Sequence, residues 1–364
     1  MPNTIQAVVL AGGTSERFQT NKTKLVEKIC GKEMIIYPLQ LLQKLHIPTS
    51  LVVGFQHERI ETVLQSHNIE IMHIFQQKQA LGSGHAASLT QSIWDKDNIL
   101  LMGADTPLLT EDVITKLLEK HITTDADISF ITAHGIDTEN KNFCKIVIND
   151  SKIHVVDNAD QTEDFDNQCC ISGGVYIAKR SFLEKYIDQL TQNNNNNEYY
   201  LPELIQIASN NKCKIVTSPV SIDTIRSVDT LADLWAIEHI KRSEIIRYWM
   251  NNGVRISNAL NVTIDEDVII EPGVHIASGV HLIGKTRIKK NCTIGAYSYI
   301  ENSTIEDECS IQQHVVVTNT TIAQNSTIKP FTYITNSETK DTQHSTTTFT
   351  GAIKTHHLDK QKDL

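Results

Sequence analysis

The sequence predicts an α/β protein in two parts: a mostly parallel sheet with helices on both faces, followed by a short parallel β-helix. Two observations predict it. From the N-terminus to about residue 225, short apolar runs alternate with amphipathic segments, the pattern of β-α units wound around a parallel sheet. From Ile264 an aliphatic residue recurs every sixth position to Ile300, then, after five-residue steps at Ile305 and Ile322, on to Ile334. That is the hexapeptide β-helix period.

In the first part the strand candidates are 7–10, 50–54, 69–75, 98–102, 127–132 and 174–178, and the helix candidates are 34–45, 57–67, 84–94, 111–120, 181–190 and 202–210. Thr110 is placed to cap the fourth helix, with Glu111 and Asp112 in its positive first turn. Ligands of such a sheet gather beyond the carboxyl ends of its strands. Three loops have that placement. The apolar run ending at Leu10 enters Ala11-Gly12-Gly13, with Arg17, Lys22 and Lys24 a few residues on. Glycines there let backbone N–H groups approach phosphate oxygens, and the cations neutralise charge. A Rossmann dinucleotide site is disfavoured because the third spaced glycine is missing, and a Walker loop because no Gly-Lys-Ser/Thr follows.

The second loop, Gln77 to His85 (QKQALGSGH), offers an amide at Gln77 for a base edge and small residues, Gly82 and Ser83, for close approach to a ring; read structurally, it caps a helix. The third, Gly103-Ala104-Asp105-Thr106-Pro107, ends a buried strand with a carboxylate, either a metal position or a structural Asp in the turn before Pro107. Asp229, in Ser227-Val228-Asp229-Thr230, is either an N-cap or a second carboxylate for a metal held by Asp105. Two carboxylates with phosphate oxygens suit Mg²⁺, which keeps waters and takes few protein ligands.

A helix at 229–251 links this region to the repeat at 252–335, where two residues before each aliphatic stands a small or β-branched side chain, from Val262 to Thr332. Three hexads make one coil, so the run makes a little over four coils, about 20 Å of stacked strands at ~4.8 Å each. After Ile334 the period stops, and 336–364 reads as a polar tail. A net charge of −10 argues against nucleic-acid or membrane-surface partners. The seven cysteines form no C-x-x-C pair, as in a reduced cytoplasmic protein. No apolar run approaches the ~20 residues that span a bilayer.

LAGGTSERF followed by K-x-K-L, QALGSGHA, GADTPL, NEYYLPELIQIA and SVDTLADL occur in this order. Together they resemble the sugar-1-phosphate nucleotidyltransferases, and most nearly the bacterial N-acetylglucosamine-1-phosphate uridylyltransferases that are fused to a glucosamine-1-phosphate acetyltransferase. The likeness covers roughly 4–335. It implies a Rossmann-like nucleotidyltransferase domain at 1–228 and a left-handed, trimer-forming β-helix. It also implies transfer of uridylyl from UTP to N-acetylglucosamine-1-phosphate with release of pyrophosphate. By the same likeness Leu10, Ala11, Gly12, Gly13, Gln77, Gly82 and Ser83 bind nucleotide, Arg17 and Lys24 act in catalysis, Asp105 and Asp229 hold Mg²⁺, and Asp157, Ser172, Glu198 and Tyr200 meet the sugar.

The acetyltransferase coils of that family have no counterpart after Ile334, so no acetyl transfer is expected. The chain also departs from the family pattern. Ser15-Glu16 stands where Gly-Thr is usual, Thr23 replaces a proline, Cys144 replaces a glycine before Lys145, and Ser172-Gly173-Gly174 replaces Asn-Thr-Gly. These departures keep two alternatives open: another sugar-1-phosphate or nucleotide, or a non-catalytic regulatory or scaffold protein on the same fold.

Overall fold

The computed structural model describes residues 4–134, 145–149, 152–156, 169–192, 197–336 and 348–349. The chain divides into two compact units, Met1–Lys28 with Glu33–Ile237, and Ile29–Lys32 with Glu238–Leu364.

The first unit is built on one sheet. Its strands are β1 (Ile5–Ala11), β4 (Thr49–Val53), β5 (Ile74–Gln76), β6 (Asn98–Gly103), β7 (Ile128–Ala133), β8 (Lys145–Asn149), β9 (Lys152–Val156), β10 (Cys169–Lys179) and β11 (Ile215–Val220); β2 (Lys28–Ile29) and β3 (Lys32–Glu33) form a separate two-stranded ribbon. Along the sheet the order is β11-β7-β10-β6-β1-β4-β5, with β8 and β9 continuing from β10. The β1–β4, β1–β6, β4–β5 and β7–β11 pairs are parallel. The long β10 runs antiparallel to β6, β7 and β8. Around the sheet stand α1 (Ile36–Lys44), α2 (His57–Ser66), α3 (Gly82–Ser88), α4 (Glu111–Thr124), α5 (Arg180–Tyr186) and α6 (Glu203–Asn210). One core of buried side chains, among them Val8, Ile99, Leu101, Phe130, Phe182 and Leu204, packs strands and helices together.

Several boundaries differ from the sequence expectation for local reasons. The strand expected over 69–75 is confined to β5. Asn68 adopts a left-handed conformation (φ 52°), and the Ile69 N–H donates to Leu64 O at 3.1 Å, so these residues close the end of α2 instead. The helix expected over 84–94 starts at Gly82 and ends at Ser88. There the Thr90 hydroxyl bonds Ala87 O at 2.7 Å and accepts the Trp94 indole N–H at 3.0 Å, leaving a short 3-10 turn at Gln91–Ile93. Thr110 occupies the N-cap position of α4 with extended backbone, but its exposed hydroxyl makes no capping bond.

In the second unit, strands of two or three residues form three parallel sheets, each strand pairing with the one a coil later. Pairs such as His275↔Thr293 are eighteen residues apart, and Thr293↔Ser310 seventeen, the shorter coil containing one of the five-residue steps. This is the left-handed β-helix expected from the hexads. Both inward columns are buried: Leu282, Ile300 and Val317 in one, and Val280, Ser298 and Val315 in the other. Polar members of the second column bond the backbone of the next coil, as Ser298 Oγ does to Gln312 O at 2.9 Å. An additional strand, Arg255–Ile256, precedes the hexads and pairs with His275–Ile276. Within the polar tail, Thr348–Phe349 pairs in parallel with Thr327–Ile328.

α7 (Leu231–Asn251) contains the division between the units, which falls after Ile237. No helix among the described residues is long and apolar enough to cross a membrane.

Candidate active site

Parallel register brings the three candidate loops to one edge of the sheet. Leu10 pairs with Gly103 and Ala11 with Val53, while Val53 pairs with Gln76. The next residues of each strand, Gly12, Ala104-Asp105, Gly54 and Gln77, therefore emerge side by side. The approach is close. A Cβ on Gly54 would lie 2.4 Å from Gly12 O, and a Cβ on Gly12 would lie 2.0 Å from Gln77 Oε1. At Gly13, by contrast, no described atom lies within 4 Å of a Cβ position, so the second glycine of the turn faces open space.

Beyond the turn the chain is held tightly. Ser15 takes left-handed backbone (φ 61°), where a glycine would sit without strain. Its hydroxyl accepts the Lys24 backbone N–H at 3.1 Å. Gln56 clamps the same segment, its Oε1 accepting Thr23 N–H at 3.0 Å and its Nε2 donating to Asn21 O at 2.8 Å. Buried Phe18 and Leu25 anchor it from below. Glu16 projects into solvent.

Lys24 then reaches the centre of the site. Its Nζ lies 2.8 Å from Asp105 Oδ2 and 2.9 Å from Asp229 Oδ1. Arg17 Nη2 lies 2.9 Å from the same Asp229 oxygen, although the Arg17 side chain remains 60% exposed. Burial pulls the Lys24 pKa down, but attraction from Asp105 and Asp229 outweighs it and holds the pKa above the ordinary lysine value. Asp229 is not the N-cap of α7. That role belongs to Thr230, whose hydroxyl accepts the Asp233 N–H at 3.1 Å while Asp233 Oδ2 accepts the Thr230 N–H at 2.8 Å. This reciprocal capping box leaves the Asp229 carboxylate for the cations. The T-x-x-D spacing of 230–233 was the sequence signal for it.

The loop opening α3 is joined to the segment before α6. Tyr199 N–H donates to Leu81 O at 2.8 Å, Gly84 N–H to Tyr199 O at 2.7 Å, and Leu201 N–H to Ser83 Oγ at 3.0 Å. Gly82 (φ 92°) lies against this segment, where a Cβ would stand 2.6 Å from Tyr199 O and 2.9 Å from Glu198 Cβ. Gln77 is 5% exposed, its amide nitrogen on Gly82 O at 3.0 Å and on His85 Nδ1 at 2.9 Å. Nucleotide-loop and sugar-loop candidates thus share one wall. Half-buried Glu198 and Tyr200 lie along it. Ser172 is buried in β10 with its hydroxyl 2.8 Å from Tyr176 OH. Asp157 and Cys144 lie outside the described residues. Gln56 was not singled out in the sequence and His85 only as the end of its loop, because each acts through a backbone or amide contact that no spacing announces; Ser15 stood out only as a departure from a glycine, not for its bond to the Lys24 backbone.

Among the described residues no three His, Cys, Asp or Glu side chains converge as a metal cluster. The Asp105–Asp229 pair nevertheless fits a hard divalent cation. Its oxygens already converge on one cation, the Lys24 ammonium, and carboxylates leaving further positions to water and phosphate suit Mg²⁺.

Residues 7–192 match the MobA-like NTP transferase domain family, and 261–353 match the GMPPB C-terminal domain family. Curated relatives named Bifunctional protein GlmU share 30% identity with the chain. That of Caldanaerobacter subterraneus subsp. tengcongensis aligns over 313 residues, 85% of this chain and 67% of the relative. That of Clostridioides difficile aligns over 312 residues, 84% and 67%, and that of Exiguobacterium sibiricum over 318 residues, 85% and 69%. With its glycine turn, paired carboxylates and β-helix, the chain belongs to the GlmU family of nucleotidyltransferases.

Proposed function

We propose that the protein transfers uridylyl from UTP to N-acetylglucosamine-1-phosphate, forming UDP-N-acetylglucosamine and pyrophosphate. The observation that carries this reading is the meeting of Lys24, Arg17, Asp105 and Asp229 beside an open glycine turn. A phosphate oxygen of the sugar-1-phosphate attacks the α-phosphorus of UTP, and the bond to the β-phosphate bridging oxygen breaks. Little covalent work falls to the protein, so catalysis is positioning plus charge neutralisation.

Gly12 and Gly13 bring backbone N–H groups to the triphosphate, and Arg17 and Lys24 neutralise its charge and that of the departing pyrophosphate. Gln77, Gly82 and Ser83 enclose the base, with Leu10 and Ala11 at the end of β1 beneath. The wall at Glu198 and Tyr200 faces the sugar, with Ser172 and Asp157 as further sugar contacts. Mg²⁺ held by Asp105 and Asp229 would offset phosphate charge during the transfer.

A substrate panel read by pyrophosphate release tests the reading. UTP with N-acetylglucosamine-1-phosphate is expected to outrun other nucleotides and sugars. Preference for another pair would move the specificity within the same reaction class, and absence of nucleotide binding would favour a scaffold role.

The β-helix is proposed to assemble as a homotrimer. Supporting this is an exposed column in which Tyr297 stacks on His314 (5.4 Å, 10°) and His314 on Phe331 (5.0 Å, 6°). Light scattering is expected to give three times the 40.9 kDa chain mass. No acetyl transfer is proposed for the coils present here, whose regular hexads run to Ile334; thiol release from acetyl-coenzyme A with glucosamine-1-phosphate tests that. A cytoplasmic location is proposed from the same substrates.

A further inference from the structure

We propose that Lys24 is a resident counter-ion of the Asp105–Asp229 pair, so that its ammonium and a divalent cation compete for the same carboxylates. Metal binding is then favoured only when a nucleotide draws Lys24 onto its phosphates. The inference rests on the metal assignment made above and adds what occupies the carboxylates before metal arrives.

The geometry sets up the competition. Lys24 Nζ touches one oxygen of each acid, at 2.8 and 2.9 Å, and Arg17 shares the Asp229 oxygen. Two cationic side chains therefore balance two carboxylates. A divalent ion added with Lys24 in place would leave excess positive charge in a half-buried crevice, where repulsion is poorly screened.

The backbones are fixed. Asp105 is held where Ala104 N–H donates to Leu10 O at 3.0 Å and Val228 N–H donates to Asp105 O at 3.2 Å. Asp229 is held by the Thr230–Asp233 box, and the Lys24 backbone by Ser15 and its Gln56-clamped neighbour Thr23. What can move is the four-carbon stem of Lys24. A triphosphate entering at the open face of Gly13 supplies the anion toward which the ammonium swings, and the carboxylates are then released to the metal. Metal and nucleotide are coupled through one side chain, and each must strengthen the other's binding by the same factor.

The test uses Mn²⁺ alone, with free ion read by electron paramagnetic resonance, on the full chain without nucleotide. Lys24→Met and Lys24→Gln, each checked for folding by circular dichroism, are expected to bind one Mn²⁺ about 5- to 150-fold more tightly than wild type, the usual span of coupling between sites. In wild type, saturating Mn²⁺ is expected to increase amine labelling of Lys24, read by peptide mass spectrometry. Equal or weaker Mn²⁺ binding by both variants, or unchanged labelling, overturns the counter-ion role. Failure of the metal assignment has a different signature: Asp105→Asn added to Lys24→Met would leave Mn²⁺ binding untouched.

Discussion

Breaking the contact between Lys24 and Asp229 should expose how much the site contributes to the stability of the first unit. At 2.9 Å the gross attraction is about 6 kcal/mol at an effective dielectric of ~20. Removing two ions from water offsets most of it, since their side chains are only 13% and 11% exposed. A charged hydrogen bond of this kind retains about 1.5–3 kcal/mol. Asp229→Asn keeps an acceptor oxygen and should cost about 1–2 kcal/mol. Lys24→Met leaves two carboxylates without their common cation and should cost about 2–4 kcal/mol. The double variant should recover about 1–2 kcal/mol of the summed losses. Arg17 is exposed, so Arg17→Met should cost under about 1 kcal/mol, and that loss should shrink in high salt. The assay is urea denaturation at pH 7, following the transition of the first unit. A coupling within about 0.3 kcal/mol of zero would mean that the two side chains do not meet in solution, and the site geometry would be refuted.

Three other outcomes follow from separate parts of the molecule. Gly82→Ala combines a left-handed backbone with a Cβ 2.6 Å from Tyr199 O; calorimetry should show UTP affinity falling at least about tenfold, from ~1.4 kcal/mol or more of lost binding. Ile300→Ala empties part of a fully buried column between Leu282 and Val317 and should lower the stability of the β-helix by about 2–4 kcal/mol in thermal or denaturant melts. His121 is 1% exposed and bonded to Ser129 and Asn98, and burial, aided by nearby Lys179, pushes its pKa down to about 4. The unfolded chain, with an ordinary histidine near 6.5, then binds the extra proton between pH 6.5 and 4. Stability contributed by neutral His121 is therefore present above that window and lost as pH falls through it, on the order of 3 kcal/mol. His121→Gln should flatten this part of the stability–pH curve, and parallel curves for the two proteins would contradict the assignment.

The parts of the fold legible in the sequence are those where one physical period repeats. A buried aliphatic every sixth residue can satisfy the β-helix in one way only, and the columns at Val280 and Leu282 lie where that period places them. Strand β10 was harder. Apolar content marks 174–178 as buried, but direction is not encoded in periodicity, and its antiparallel pairing with β6, β7 and β8 depends on tertiary contacts. The site divides along the same line. Residues chosen for their charge, Arg17, Lys24, Asp105 and Asp229, meet in space. Gln56 acts on backbone groups, a role any polar side chain could fill, so nothing in its spacing distinguishes it; Ser15 was visible only as the replacement of a glycine, and its left-handed backbone agrees with that. Thr110 and Thr230 precede their helices with equal promise, yet only Thr230 has a partner, Asp233, able to close a capping box.

The most direct test of the whole account is pyrophosphate release from UTP and N-acetylglucosamine-1-phosphate in Mg²⁺, comparing wild type with Asp105→Asn. Steady turnover by wild type and a rate lower by at least about 100-fold in the variant, the scale of losing one charge-stabilising group, are the predicted results. Equal rates in the two proteins would contradict it.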